Sequence, residues 1–102
     1  MDKAFVTGGS RGIGAEVAKQ LVFNGVRKLV LGYCHRENDA RKIADHCAQF
    51  GTEVQLCQLD LNNINESQIK FKEAIETMGG IDILVNNAGI TQDSLALRMN
   101  VE

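Results

Sequence analysis

The chain has 102 residues, of which 44% are hydrophobic and 24% charged, and its formal net charge is −2. This length accommodates one domain at most, and the composition is that of an ordinary globular protein. The charge balance argues against nucleic acid as a partner, because a nucleic-acid-binding face normally shows as an excess of Lys and Arg.

The amino-terminal residues run directly into the first apolar segment, which leaves no room for a signal or transit peptide. No apolar run approaches the roughly 20 residues that are needed to span a bilayer. We therefore expect a cytoplasmic protein that makes no membrane contact.

Segments typical of strands and of helices alternate along the chain. The first is a short apolar run typical of a buried strand, and the second repeats apolar side chains at helical spacing. A later strand-like segment alternates apolar and polar residues, so one of its faces is expected to be more exposed to solvent. The pattern predicts strands over residues 3–7, 28–33, 53–59 and 81–85, and helices over residues 12–24, 39–50 and from 65 or 66 to 78.

Each predicted helix carries an apolar stripe and ends near glycine, which is the usual residue of a left-handed helix cap. The order βαβαβαβ is the signature of a parallel, doubly wound sheet with right-handed crossovers. We predict one α/β domain over residues 1–102, a Rossmann-like sheet of four strands in the order 3-2-1-4 with helices on both faces. The apolar stripes comprise Ile13, Val17, Ala18, Leu21 and Val22, then Ala40, Ile43, Ala44 and Cys47, and finally Ile69, Phe71, Ala74, Ile75 and Met78.

A glycine-rich turn, Thr-Gly-Gly-Ser-Arg-Gly-Ile-Gly over residues 7–14, connects the first strand to the first helix. Such a turn presents free backbone N–H groups and the positive end of the helix dipole to an anion such as a phosphate. Gly8 would permit the tight turn, Gly12 would let the backbone approach a pyrophosphate, and Gly14 would let the helix pack closely on the strand. Alone the pattern is weak evidence, because ordinary strand-to-helix turns also need flexible residues.

A second motif follows the fourth predicted strand, where paired asparagines precede two small residues in Asn86-Asn87-Ala88-Gly89. Together with the glycine-rich turn and with Asp60-Leu61 between them, this motif resembles the classical short-chain dehydrogenase/reductase family. Residues 81–99 are most similar to the beta-ketoacyl-acyl-carrier-protein reductases of fatty acid biosynthesis and to related carbonyl reductases. The resemblance extends over essentially the whole chain.

The resemblance implies a nicotinamide dinucleotide as cofactor. Asp60 would hydrogen-bond the adenine amino group and Leu61 would pack on the ring, whereas Asn86 would tie neighbouring strands together. By this reasoning the cofactor-binding residues are Gly8, Ser10, Arg11, Gly12, Ile13, Gly14, Tyr33, Arg36, Asp60, Leu61, Asn87, Ala88 and Gly89.

The end of the second strand bears on the choice between NADP and NAD. An NAD enzyme usually places Asp or Glu there to accept hydrogen bonds from the ribose 2′-hydroxyl. This chain has Tyr33-Cys34-His35-Arg36 instead, and Arg11 and Arg36 would attract a 2′-phosphate. The sequence therefore favours NADP over NAD, although Glu37 is close enough to matter.

In the family the catalytic Ser and the Tyr-x-x-x-Lys pair come later than residue 102. The only tyrosine here is Tyr33, and Glu37 rather than lysine stands four residues after it. We therefore predict no catalytic residue in this chain, a fragment that is inactive alone, and a carbonyl substrate only for a full-length form. A non-catalytic nucleotide-binding or partner-binding module and a non-functional truncated product remain alternatives. An extended-type epimerase would show Gly-x-x-Gly-x-x-Gly, which is missing here.

Cysteines and histidines give no metal-binding pattern. The three cysteines, Cys34, Cys47 and Cys57, include no Cys-x-x-Cys pair, and His35 and His46 have no standard ligand spacing with them. We predict idle thiols and no metal site. We also expect the fourth strand to lie at an open sheet edge, where it could self-associate or pair with a longer relative.

Overall fold

Strands and helices alternate through the computed structural model, which describes residues 2–8, 12–60 and 62–87. The alternation agrees with the sequence prediction, and no described helix is long and apolar enough to cross a membrane. The elements are β1 (Lys3–Thr7), α1 (Gly12–Phe23), β2 (Lys28–Tyr33), α2 (Glu37–Ala48), β3 (Glu53–Gln58), α3 (Ile64–Met78) and β4 (Ile83–Asn86).

The four strands form one parallel sheet in the order β3-β2-β1-β4, which confirms the predicted topology. The chain winds outward from β1 to β2 and β3, then crosses back so that β4 lies on the other side of β1. The connections that leave β1 and β3 therefore run in opposite directions along the sheet. In open α/β sheets such a reversal creates a crevice at the carboxyl ends of the two strands between which the order reverses, here β1 and β4, and ligands bind in that crevice.

Two hydrophobic clusters hold the helices on opposite faces of the sheet, because successive strand residues point to opposite sides. On one face Phe5 and Val30 pack against α3, and the ring of Phe5 meets that of Phe71 edge to face with centroids 4.7 Å apart. On the other face Val6 and Leu31 pack with residues of α1 and α2. The helix residues buried in these clusters are Ala18, Val22, Cys47, Phe71, Ala74, Ile75 and Met78.

Two residues assigned to the apolar stripes are exposed instead. Ile13 is 74% exposed and Ile69 is 60% exposed. At about 100° per residue, Ile69 lies 200° from Phe71 and so on the far side of α3 from the sheet. Ile13 likewise lies half a turn away from the buried Val22 of α1. The helical period therefore excludes Ile69 from its stripe, whereas Ile13, about 40° from Val17, lies at the margin of the first stripe and at the start of its helix.

The start of α1 at Gly12 is confirmed, whereas the other two predicted helix starts are wrong by one or two residues. α2 begins at Glu37 rather than Asp39, and α3 begins at Ile64 because Asn63 caps it. The Asn63 side chain accepts a hydrogen bond from the Glu66 amide at 3.1 Å and donates to the Glu66 carboxylate at 3.0 Å. The pair differs from a capping box because the Glu66 carboxylate accepts from the Asn63 side-chain amide rather than from the Asn63 backbone N–H.

Three other predicted ends are also shifted. α1 ends at Phe23, α2 at Ala48 and β3 at Gln58, each one or two residues before the predicted end.

β4 begins at Ile83, two residues later than predicted, because Asp82 is held by the start of β1. Its backbone N–H donates to the carbonyl of Lys3 at 2.8 Å. Its carboxylate accepts hydrogen bonds from the amides of Asp2 and Lys3 at 2.9 and 3.1 Å. Among the described strands β4 is an edge, as predicted, and its apolar residues are only partly buried.

Candidate functional site

The glycine-rich turn lies at the carboxyl end of β1, beside the crevice between β1 and β4. Gly8 follows the strand with φ 67°, and Gly12 begins α1 with φ 62°. Both values lie in the left-handed region, which side chains with a Cβ rarely adopt. The backbone path into and out of the turn therefore favours glycine at these two positions, and Asn is among the few other residues that tolerate it.

Gly14 is constrained by space rather than by backbone conformation. A Cβ on Gly14 would collide with the carbonyl group of Gly8, whose carbon would be 2.7 Å away, and with the Asn87 side-chain nitrogen at 2.9 Å. The first turn of α1 thus lies directly against the turn after β1 and the end of β4. The predicted close packing at Gly14 is confirmed, and its role toward a cofactor stays a prediction.

Thr7 ties the ends of β1 and β4 together, although the sequence analysis did not select it. Its fully buried hydroxyl accepts a hydrogen bond from the Asn87 amide at 2.8 Å and donates to the Asn86 side-chain oxygen at 3.1 Å. The strand-linking role predicted for Asn86 is therefore present. The sequence did offer a signal for Thr7, because this residue carries a hydroxyl, ends an apolar strand and directly precedes a glycine.

The beginning of α1 is open on the side away from the sheet. A Cβ on Gly12 would meet no atom of the described residues beyond its chain neighbours, and Ile13 is exposed. The first turn of α1 contains no acidic residue. Its unpaired N–H groups and the helix dipole therefore favour an anion at this position.

At the end of β2 the residues that follow the strand carry no carboxylate, but Glu37, which the sequence showed to be close, reaches the Tyr33 side chain. The Tyr33 hydroxyl donates to the Glu37 carboxylate at 3.3 Å, and the same carboxylate accepts from Arg41 at 3.1 Å. Because α2 begins two residues earlier than predicted, Glu37 occupies the first turn and reaches back to the strand end. Burial, followed by the Glu37 charge and hydrogen bond, raises the pKa of Tyr33.

Arg36 lies beside this group, on the exposed segment between β2 and α2. Its guanidinium pairs with the Asp39 carboxylate at 3.5 Å. Residues 35–39 line a surface cavity of about 330 Å³. The sequence analysis did not single out Asp39 or Arg41 for this site. Their spacing was an available signal, since residues three and four apart are neighbours on a helix.

Asp60 follows β3 at the same edge of the sheet as Tyr33, because the preceding Leu59 amide donates to the Tyr33 carbonyl at 2.7 Å. The exposed Asp60 carboxylate accepts a hydrogen bond from the Asn62 amide at 2.8 Å. The Asp60 carbonyl accepts another from the Ser67 hydroxyl at 2.9 Å. These bonds are those of a turn residue, and the contact with adenine stays a prediction.

The structure therefore brings Gly8, Gly14 and Asn87 together, and places Tyr33, Arg36 and Asp60 along the same edge of the sheet. Five other predicted site residues lie outside the described residues: Ser10, Arg11, Leu61, Ala88 and Gly89.

No group of side chains in the described part of the chain could hold a metal ion. Burial raises the pKa of the Cys57 thiol to about 11 and also raises the pKa of Cys47. Both thiols therefore stay protonated near neutral pH, and a protonated thiol is a poor nucleophile and a poor metal ligand.

Comparison with known proteins gives one family. The family model for short chain dehydrogenases matches residues 2–102. The chain is 44% identical over 96 residues to a 3-oxoacyl-(acyl-carrier-protein) reductase of Salmonella typhimurium, covering 94% of this chain and 37% of that protein. It is 35% identical to the Staphylococcus aureus enzyme of the same name, covering 94% of this chain and 39% of the relative. The chain thus spans well under half the length of these relatives.

Solved structures agree with this family. A short chain dehydrogenase from Burkholderia cenocepacia in complex with NADP superposes with a TM-score of 0.80 at 33% identity, covering 98% of this chain and 44% of that one. An acetoin dehydrogenase from Salmonella typhimurium gives a TM-score of 0.80 at 33% identity, with 90% and 38% covered.

Proposed function

The chain belongs to the short-chain dehydrogenase family, and we propose that it forms the dinucleotide-binding half of an NADP-dependent reductase of 3-oxoacyl or other carbonyl compounds. The contact of Gly14 with Gly8 and Asn87 carries this proposal, because it places the glycine-rich turn, the start of α1 and the end of β4 around one crevice. The NADP-bound relative and the 3-oxoacyl reductases support the choice of cofactor and substrate class.

In this proposal the pyrophosphate lies over the start of α1, where a Cβ on Gly12 would meet no described atom and where the first N–H groups of a helix have no partner within the helix. The adenosine lies toward the ends of β2 and β3, between Tyr33 and Asp60. Asn87, with Ala88 and Gly89, borders the cofactor at the end of β4. The basic side chains of Arg11 and Arg36 favour NADP over NAD, because guanidinium groups bind phosphate through charge-assisted hydrogen bonds.

Bound NADPH would supply the hydride that reduces a carbonyl. The sequence holds no Tyr-x-x-x-Lys pair, so the chain itself offers no proton donor of the family's kind. We therefore propose that residues 1–102 bind and orient the dinucleotide but do not reduce a carbonyl substrate on their own.

Binding is tested by placing a side chain on the open surface of Gly12. Asn tolerates the left-handed conformation better than most residues, so Gly12→Asn keeps the turn while it fills the space assigned to the pyrophosphate. We expect NADPH affinity, measured by the fluorescence of the reduced nicotinamide, to fall about tenfold or more. The unsubstituted chain should bind NADPH more tightly than NADH.

Gly51→Asn is the matched control for this experiment. Gly51 also has a positive φ, 84°, and open space around it, but it lies in the turn between α2 and β3. The control should therefore leave NADPH affinity unchanged. Equal NADPH affinities for Gly12→Asn and the unsubstituted chain would contradict the proposed site, and failure of the unsubstituted chain to bind either dinucleotide would contradict the proposed function.

A further inference from the structure

A short chain of hydrogen bonds leads from the end of β2 onto the outer surface of α2. The Tyr33 hydroxyl donates to one oxygen of the Glu37 carboxylate, and the other oxygen accepts from the Arg41 guanidinium at 3.1 Å. Glu37 and Arg41 are one helical turn apart, and their side chains are 53% and 64% exposed. Both oxygens of this carboxylate are therefore engaged, one by a neutral donor and one by a cation.

A free carboxylate at this position would work against NADP. An acidic group after the second strand accepts hydrogen bonds from a ribose 2′-hydroxyl, and it repels a 2′-phosphate. Glu37 lies beside Tyr33, at the strand end that the proposed site assigns to the ribose. Without Arg41 the Glu37 carboxylate would keep its hydrogen bond from Tyr33 but would lose its ion pair.

We propose that Arg41 is a specificity-determining positioning residue, which neutralises the Glu37 carboxylate and holds it along α2 so that the ribose end of the site accepts a 2′-phosphate. This inference rests on the proposed function and extends it to a residue that would not itself touch the cofactor.

The neighbouring charges support this assignment. The other carboxylate in this first turn, Asp39, is already paired with Arg36 at 3.5 Å. With Arg41 present, the two acidic residues at the start of α2 are matched by two arginines. Removal of Arg41 alone would leave one negative charge in excess next to the end of β2. That charge would repel the 2′-phosphate, which NADPH carries and NADH does not.

Selectivity is the first readout. The full chain and its Arg41→Gln variant are titrated with NADPH and NADH, and the ratio of the two affinities is compared. Because an exposed ion pair contributes little, we expect that ratio to fall by about two- to fivefold in Arg41→Gln. The matched control is Lys42→Gln, which removes one positive charge at the next position of α2. Lys42 is exposed, and the ion pair of Glu37 in the described structure is with Arg41 rather than with Lys42.

A double-mutant cycle assigns the effect to the carboxylate. If Arg41 acts by neutralising Glu37, Arg41→Gln should change the selectivity of the chain but not that of a Glu37→Gln chain. Equal losses in both backgrounds would instead mean that Arg41 attracts the phosphate directly, and would overturn the proposal. So would an Arg41→Gln variant whose selectivity equals that of Lys42→Gln.

Tyr33 provides a readout that needs no cofactor. It is the only tyrosine, and the chain has no tryptophan, so tyrosinate absorbance reports its ionisation alone. The charges acting on it are those of Glu37, Arg41 and Lys70. Since Arg41 lowers and Glu37 raises its pKa, Arg41→Gln should raise the tyrosine pKa, Glu37→Gln should lower it, and Lys42→Gln should leave it unchanged.

The two readouts separate failure of this inference from failure of the proposed function. A chain that binds neither dinucleotide, or binds both equally, contradicts the NADP function and the inference with it. A chain that prefers NADPH but whose tyrosine pKa and selectivity do not respond to Arg41→Gln contradicts the inference alone.

Discussion

Gly14→Ala tests whether the glycine-rich turn is required by packing, independently of any cofactor. Within a helix, replacing Gly by Ala normally stabilises by up to about 1 kcal/mol. Here the added Cβ would collide with the Gly8 carbonyl group and approach Asn87, and small-to-large changes in a packed region cost about 1–3 kcal/mol. The obstacle is backbone rather than the end of a flexible side chain, so the cost lies at the upper part of that range. We therefore expect a net loss of about 1–2 kcal/mol.

Urea denaturation followed by far-ultraviolet circular dichroism measures this loss as a lower midpoint. Such a loss would be a large fraction of the stability of a domain, which is about 5–15 kcal/mol. Glu16→Ala, at an exposed position on the same helix, is the control and should change stability by no more than about 0.5 kcal/mol. A Gly14→Ala chain as stable as this control would refute the packing argument, because only the helix-propensity gain would then operate.

Three further predictions concern the fold. Hydrogen bonds from the amides of residues 2 and 3 lower the pKa of the Asp82 carboxyl, so its stabilising contribution is complete above the ordinary pKa of 3.8 and is lost as pH falls through the lowered value. Asp82→Asn should therefore flatten the acid side of the stability–pH curve, and an unchanged curve would contradict this. Phe71→Ala should lower the free energy of unfolding, measured by urea denaturation, by about 3–5 kcal/mol, whereas Phe23→Ala, at an exposed site, should change it little. Equal losses for the two variants would contradict the assignment of Phe71 to the core. If the edge strand β4 drives self-association, Val85→Lys should lower the molar mass measured by light scattering toward that of a monomer. An unsubstituted chain that is monomeric at all concentrations would contradict self-association through β4.

The alternation of strands and helices was predictable because its signals are local. Apolar runs of strand length, helical spacing of apolar residues and glycine after α3 are all read within a few residues of one another. Gly79, for example, closes α3 in the left-handed conformation with φ 82°, which is the role that glycine has at helix ends. The right-handed crossover rule then leaves few topologies for a βαβαβαβ chain.

Two contacts at the site depend on more than local sequence. Glu37 was recognised as close to the strand end, but its hydrogen bond to Tyr33 depends on α2 beginning two residues earlier than predicted. Thr7 was missed because its partners, Asn86 and Asn87, lie about 80 residues away in the chain. The Thr7 contacts leave no periodic pattern, so sequence spacing alone could not reveal them.

The glycine-rich turn combines two requirements that a sequence motif cannot separate. Gly14 has no space for a Cβ, whereas Gly12 has open space but a left-handed backbone. If the turn is only a structural connection, Gly12→Asn should change neither stability nor dinucleotide binding, because Asn can adopt the left-handed backbone. If the open space is kept for a phosphate, the same change should leave folding intact and weaken dinucleotide binding. Stability and binding should therefore fall together at position 14 and separate at position 12, and that difference distinguishes a binding site from an ordinary strand-to-helix turn.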